Sequence, residues 1–482
     1  MQGQDSDAIK ELFAGSMSGK LSRRDIMRRA GLLGLSAPMV GMLLKASATG
    51  AAAQDATPAA GGGEPGGTIV VPQGLSQEYK GATITAIMAE ATSPDKPWQD
   101  AAVKKFSDAT GITVKVVPGE QDANDRLTKY NQSLGSQSSD FDVFQIDVIW
   151  PGVVAQHAVD LNEKLKDLAA QHFTAIVENN TVDGKLVGMP WYTDAGLLYY
   201  RTDLLEKYGI EASPTTWAEL ETQAKQIMDS EKASNPDFYG FVFQGKAYEG
   251  LSCNALEWQV SNGGGTIIDA DGKITVNNPQ AVAAFERAKG WVKGIAPEGV
   301  TTYNEPSSLN DFIAGRAAFM RNWPYAWAAS QDPTQSKITG KVGVSVLPKG
   351  DGPDARNAAT LGGWQMMVSK YSKNADAAVE FVRYMCSPEV QKSFAIERSH
   401  LPTIASVYDD PDVAKSSEFI PRLKEVFQGG AIARPSSVSG ELYPEVSKTY
   451  WTAVNQILTG QKDAASALED LASDLESVMQ DV

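Results

Sequence analysis

From Ala82 onward the chain alternates short apolar runs with longer stretches in which apolar residues recur every three or four positions. The runs at 82–88 (ATITAIM), 112–117 (ITVKVV) and 142–148 (DVFQIDV) have the length and β-branched content of buried strands. Between them, 98–110, closed by Gly111, and 126–134 carry helical spacing. Strand, helix, strand in that order is a βαβ unit, so the pattern predicts an α/β fold. A further helix is expected over 153–168, and apolar segments at 185–190 and 197–201 flank the polar-aromatic stretch Trp191-Tyr192-Thr193-Asp194. A second series repeats the grammar: a helix over 217–233, a strand at 239–243, a helix around 253–261, and a helix over 279–293. Within it, Asp269-Ala270-Asp271-Gly272 reads as a tight hairpin turn, because the later ligands of an EF-hand loop are missing. Strands at 317–321, 342–347 and 364–368 precede a mostly helical last third, 375–479.

The texture upstream is different. Ser22-Arg23-Arg24-Asp25-Ile26-Met27-Arg28 precedes a mildly apolar run, 30–44, followed by Lys45 and small residues up to Ala53. This is the layout of a cleavable export signal, and the paired arginines make it resemble a twin-arginine signal. Helix over such a run spans about 22 Å, short of the roughly 30 Å hydrocarbon core, which argues against a permanent anchor. No cysteine follows the run to carry a lipid. Residues 1–53 are therefore read as a twin-arginine-type export signal and the Gly- and Pro-rich 54–79 as a flexible leader. A periplasmic or otherwise extracytoplasmic location follows.

Composition narrows the function. Of 482 residues, 42% are apolar and 21% charged, the range of ordinary globular proteins. The net charge is −16, and because 1–53 carries seven bases against four acids, the remainder carries −19. A surface that acidic repels phosphate backbones and excludes nucleic acid as the main partner. With three His, two Cys and neither CxxC nor HExxH, no built-in metal or haem site is expected and no cofactor is predicted. Cys253 and Cys386 are compatible with a bridge and, more simply, with two buried thiols.

No GxSxG elbow, no GxxxxGK[ST] and no GxGxxG after a strand is present. Carboxylate pairs for glycoside hydrolysis can be assembled from Glu90, Asp147, Asp194, Glu249 or Glu257, but 55 acids beyond residue 53 make some such pair inevitable. More telling is the recurrence of aromatic-polar clusters at expected strand ends and loops. They are Glu90, Asp147 with Trp150, Tyr192 with Asp194, Glu257-Trp258, Trp323-Pro324-Tyr325, Gly362-Gly363-Trp364 and Arg434-Pro435. Open α/β sheets hold ligands at strand-end loops. Trp and Tyr faces cover the apolar face of a sugar ring while Asp, Glu and Arg bond its hydroxyls, so the mixture suits a neutral polyol. Any one of these tryptophans alone is more simply core; the repetition of the cluster favours a ligand.

In the same order along 80–480, SDFDVFQIDVIWPG at 139–152, GMPWYTDAGLLYYR at 188–201, NWPYAW at 322–327, Gly362-Gly363-Trp364, Arg434-Pro435 and YPEV at 443–446 resemble a known family. It is the extracytoplasmic solute-binding proteins of ABC importers, in the branch that contains maltose- and trehalose/maltose-binding proteins. The resemblance implies a two-lobed α/β periplasmic-binding-protein fold of type II character, with the ligand cleft between lobes. Lobe one would take 80–193 plus 365–425, and lobe two 197–360 plus 434–482. It further implies that Glu90, Asp147 and Asp194, with Gln121 or Asn124, accept sugar hydroxyls. Trp258, Trp323 and Tyr325 would stack, Gly363 would let backbone approach the sugar, and Arg434 would donate; Trp364, at a crossing, fits either group, and Tyr192 and Glu257 are also expected at the ligand. The implied function is capture of a trehalose- or maltose-like disaccharide by a monomer, without catalysis, and delivery to the transmembrane subunits of an ABC permease. A secreted carbohydrate-active hydrolase and a binding protein for another solute, such as glycerol phosphate or a peptide, are the alternatives. A twin-arginine signal would additionally mean folding before export.

Overall fold

The computed structural model describes residues 64–89, 91, 93–417, 419–421, 423–424 and 431–480. The stretch 1–53 read as an export signal, the expected leader up to 63 and Glu90 lie outside the described residues. The elements below belong to one unit, Pro65–Val482. In chain order they are β1 (Thr83–Met88), α1 (Lys96–Thr110), β2 (Thr113–Pro118), α2 (Ala123–Gly135), β3 (Val143–Asp147), β4 (Met189–Ala195) and β5 (Leu197–Arg201). There follow α3 (Trp217–Glu231), β6 (Tyr239–Val242), α4 (Glu249–Ser261), α5 (Pro279–Trp291), β7 (Ala317–Asn322), β8 (Val342–Val346) and β9 (Ala359–Val368). The chain ends in α6 (Ala375–Met385), α7 (Pro388–Arg398), β10 (Ala431–Ile432), α8 (Tyr443–Leu458) and α9 (Ala464–Gln480).

Two sheets organise these elements. In the first the order is β10-β9-β3-β1-β2, with β4 also paired to β9. β1 runs parallel to β2 and β3, as the helical crossovers α1 and α2 require. β9 is antiparallel to β3 and β4. The second sheet has the order β8-β5-β7-β6, with β5 antiparallel to both neighbours and β6 parallel to β7. The chain leaves the first sheet and enters the second through a single residue, Gly196, between β4 and β5. A Cβ there would lie 2.0 Å from Glu257 Oε1 and 2.7 Å from Arg321 Nη2, so only glycine fits.

Each sheet has its own core. Trp98, Phe106, Trp191, Phe381, Tyr384 and Phe394 pack under the first. Trp217, Phe241, Phe243, Trp258 and Trp291 pack under the second, and α9 closes over it with Ala464, Ala467, Leu468, Leu471 and Leu475 at helical spacing. α3 begins with a capping box in which Thr216 and Glu219 satisfy each other's backbone N–H groups.

The structure corrects two expectations. The helix expected over 153–168 is broken into Pro151–Val154, a 3-10 turn to His157, and Asn162–Ala169. The break arises because Ala158 bridges Ser369 and the Val159 N–H donates to Val368, which commits that backbone to the first sheet. Nor is the whole of 54–79 a flexible leader. The Glu397 carboxylate receives the N–H groups of Gly66 and Thr68 (2.7 and 2.9 Å) and the Thr68 hydroxyl (2.6 Å). Lys105 donates to the Ile69 carbonyl (2.7 Å), and the Ile69 side chain is buried in the first core. Cys253 and Cys386 are both free and buried, and burial pushes both thiols up.

Candidate functional site

Strand register assembles the site. On one row across β3, β9 and β4, Asp147 lies opposite Trp364, and Trp364 lies opposite Tyr192. Two residues further along β9, Gly362 lies opposite Asp194. Neighbouring strands are about 4.8 Å apart, so residues up to 217 positions apart in the chain become adjacent. Asp147 and Asp194 are 8% and 7% exposed. The Trp364 ring meets the Trp150 ring edge-on (5.7 Å) and lies beneath the Arg126 guanidinium (4.6 Å). Tyr192 receives a bond from Gln145 Nε2 (3.3 Å), and its ring lies 4.3 Å from that of His400. His400 Nε2 is 2.7 Å from one oxygen of Asp95, and Arg398 Nε donates to the other at 3.0 Å.

Arg434, 4% exposed, closes the row from the C-terminal segment. Its Nη2 approaches Asp147 Oδ1 (3.4 Å) and donates to the Leu361 carbonyl (3.2 Å), and its Nη1 donates to Glu249 (2.7 Å) at the start of α4. Trp323, just past β7, is half-buried with the Arg321 guanidinium 3.9 Å from its ring. Its indole N–H donates to Glu305 Oε1 (3.3 Å), while Tyr248 donates to Glu305 Oε2 (2.6 Å). A Cβ on Gly362 would sit 3.2 Å from the Trp323 ring and 3.1 Å from Asp194 Cβ, so the second sheet's tryptophan stands directly over the row. Beside it, Lys246 pairs with Asp122 (2.5 Å), and the Glu249 N–H donates to Asn124 (3.2 Å).

Burial pushes the Asp194 carboxyl up to about 7, against the pull of nearby His400. Burial also pushes Asp147 up to about 6; Arg434 draws it down, but Glu249 shares the same guanidinium and offsets part of that pull. Asp95 is buried too, yet His400 and Arg398 hold it below the usual carboxylate range. Asp194 Oδ1, Gln145 Oε1 and Arg434 Nε are buried with no hydrogen-bond partner among the described residues. Each such atom costs about 1–3 kcal/mol when left unpaired, so this region is suited to a ligand that supplies both donors and acceptors.

Not every residue marked in the sequence reaches this region. Glu257 has no exposure, and its oxygens are taken by Arg321 (2.6 and 2.9 Å) and the Thr360 N–H (3.1 Å), so it is structural rather than a hydroxyl acceptor. Trp258 is a core residue packed edge-on against Phe243 and Trp291, not a wall of the site. Gly363 is needed for a different reason from the one expected. At φ +128, its Cβ would lie 2.6 Å from the Tyr192 carbonyl, so the residue permits β9 to approach β4. Gln121 is exposed in the bend before α2, and Tyr325 is half-buried before the short helix Ala326–Gln331. The sequence marked Glu249 only as one of many carboxylates and did not mark Arg126, Arg321, Asp95 or His400; their partners are distant in the chain and carry no local signature.

Residues 89–392 match the family described as bacterial extracellular solute-binding proteins. The chain belongs to this family. Among curated solute-binding relatives, a probable ABC transporter-binding protein of Deinococcus radiodurans is 50% identical over 377 residues, 77% of this chain and 89% of its own length. The maltodextrin-binding protein of Bacillus subtilis is 25% identical over 312 residues, 59% of this chain and 69% of its own. Among solved structures, maltose-bound T. maritima MalE3 superposes with a TM-score of 0.78 at 36% identity, covering 82% of this chain and all of that one. The fold is accordingly the two-lobed one of periplasmic binding proteins. No helix among the described residues is long and apolar enough to cross a membrane.

Proposed function

We propose that this chain is the sugar-capturing component of an ABC importer, which binds a disaccharide of the maltose or trehalose type between its lobes and presents the closed form to the permease. The observation that carries this reading is the row Asp147–Trp364–Tyr192 with Asp194, overlain by Trp323 and closed by Arg434. It combines aromatic surface with buried, unpartnered acceptor and donor atoms, as a polyol needs. The relatives' maltose and maltodextrin ligands point the same way. In this reading Asp147 and Asp194 accept hydroxyls, Arg434 donates, and Trp323, Tyr325 and Trp364 stack, with Tyr192 beside them. Lobe one is built on the first sheet and lobe two on the second.

Arg434 already faces two carboxylates, Asp147 and Glu249, which leaves little positive charge for a phosphate and favours a neutral ligand. The family and the relatives are named as solute-binding proteins, so binding without turnover is the preferred role. The mature protein is a monomer that works outside the cytoplasmic membrane, exported by the signal in 1–53 through the twin-arginine route. Calorimetric titration with maltose and trehalose, followed by chromatography of the sugars, tests the proposal. Heat of binding with intact sugar is expected. Hydrolysis products would overturn the binding role, and absence of heat with any disaccharide would overturn the sugar assignment.

A further inference from the structure

Glu249 is the first residue of α4 and is 5% exposed. One of its oxygens takes Arg434 Nη1 (2.7 Å) and the Tyr443 hydroxyl (2.5 Å); the other takes the Ser447 hydroxyl (2.7 Å). Ser447 Oγ is in turn 2.7 Å from Ser252 Oγ, so the acceptor is braced from both α4 and α8. Both oxygens are thus committed to protein donors. Glu249 is poorly suited to receive a ligand hydroxyl itself.

Arg434 is in the opposite situation. Its Nη1 is anchored on Glu249 and its Nη2 on Asp147 and the Leu361 carbonyl, while Nε is buried without a partner. The guanidinium is a rigid plane with its N–H bonds in fixed directions. Pinning both Nη ends therefore sets where the Nε–H points. Of the two pins, the Glu249 bond is the shorter, 2.7 against 3.4 Å for Asp147. Without Glu249 the guanidinium falls back on Asp147, which both turns the plane and occupies a carboxylate that would otherwise accept a ligand hydroxyl.

We infer that Glu249 is a positioning residue for ligand capture, which orients Arg434 so that its Nε–H is delivered to the sugar. The inference rests on the reading of Arg434 as a sugar donor. A double-mutant cycle on the mature protein tests it, with maltose and trehalose titrated by calorimetry. Glu249→Gln is expected to weaken binding five- to tenfold and Arg434→Ala tenfold or more, whereas the double variant binds no more weakly than Arg434→Ala alone. A merely structural Glu249 would instead add its own factor in the Arg434→Ala background, and that result overturns the inference, as does wild-type affinity in Glu249→Gln. Tyr443→Phe removes one donor to Glu249 and keeps every charge. It should weaken binding two- to threefold in the wild type and not at all in Arg434→Ala, and it carries the cycle if Glu249→Gln fails to fold. Undiminished binding by Arg434→Ala, or no binding of either sugar by the wild type, would remove the reading of Arg434 and this inference together. A large loss in Arg434→Ala with none in Glu249→Gln would remove the inference only.

Discussion

The Glu257 carboxylate holds the Arg321 guanidinium through bonds of 2.6 and 2.9 Å, and neither side chain is more than 1% exposed. Gly196 presses on this pair where the chain passes between sheets, Thr360 of β9 donates its N–H to it, and Trp323 lies over the guanidinium. Removing one partner of a buried pair strands the other, at a cost of about 3–5 kcal/mol. Glu257→Gln should therefore lower stability by that order in urea titrations, and Gly196→Ala should also destabilise, since its methyl would collide with the pair. A loss below about 1 kcal/mol in Glu257→Gln would show that the pair carries little of the junction.

Lys246 and Asp122 connect the segment after β6 to the N-terminus of α2, so opening the cleft would part them. The Lys246 side chain is 41% exposed, which limits such a pair to about 0.2–1 kcal/mol. Lys246→Met should weaken sugar binding by at most about fivefold, and the difference from wild type should shrink at high salt. Calorimetry at low and high ionic strength checks both. Asp122→Ser is the matching variant, because serine can still receive the Asn124 N–H that Asp122 now caps at 3.0 Å. A loss independent of salt would mean that the pair acts through packing.

How much of this was legible beforehand depends on how local the cause is. The β1-α1-β2 unit follows from periodicity within thirty-odd residues, and the aromatic-polar stretches around Asp147, Tyr192, Trp323 and Gly362 do lie together. Glu257 and Trp258 misled for an identifiable reason. Every residue of α4 is buried, so no polar face distinguishes residues committed to the core from residues facing a ligand. The Glu249–Arg434 bond spans 185 residues, and Glu397 fixes Thr68 across 329; no window along the chain contains either pair. Glycine and proline made 65–79 read as loose, although a distant carboxylate holds part of it.

In the proposed role, Asp194 and Asp147 should make binding and stability respond to pH in opposite senses. Their folded pKa values, about 7 and about 6, lie above the ordinary 3.8, so between these limits the folded protein binds protons that the unfolded chain does not. Their contribution to stability is full below pH 3.8 and is lost as pH rises through 6 to 7. Buried His172, pushed down to about 3, works the other way from pH 6.5 downward, so the wild-type curve alone mixes the two. The difference between wild type and Asp194→Asn cancels that background. The melting temperature of wild type relative to Asp194→Asn should fall from pH 5 to pH 8, while maltose affinity of the wild type rises, because an ionised acceptor bonds hydroxyls more strongly. A flat difference would mean that Asp194 is ionised throughout.

Two tryptophans distinguish the proposed stacking role from core packing. Trp258 is 2% exposed, with rings of Phe243 and Trp291 against it at 5.3 and 5.5 Å. Truncating such a residue costs about 3–5 kcal/mol of stability. Trp323 is half-buried, and its ring stands between Arg321 and the strand carrying Gly362 and Gly363. Trp258→Ala should therefore lower the melting temperature strongly and retain near-normal affinity in whatever fraction stays folded. Trp323→Ala should weaken sugar binding at least tenfold, about 1.4 kcal/mol, while the ligand-free melting temperature moves much less. Thermal scans with and without maltose read both quantities from one sample, since a ligand at free concentration L that binds only the folded state stabilises it by RT ln(1 + L/Kd). A Trp323→Ala protein that loses melting temperature as heavily as Trp258→Ala would place both rings in the core, and stacking would then fall to Tyr325 and Trp364.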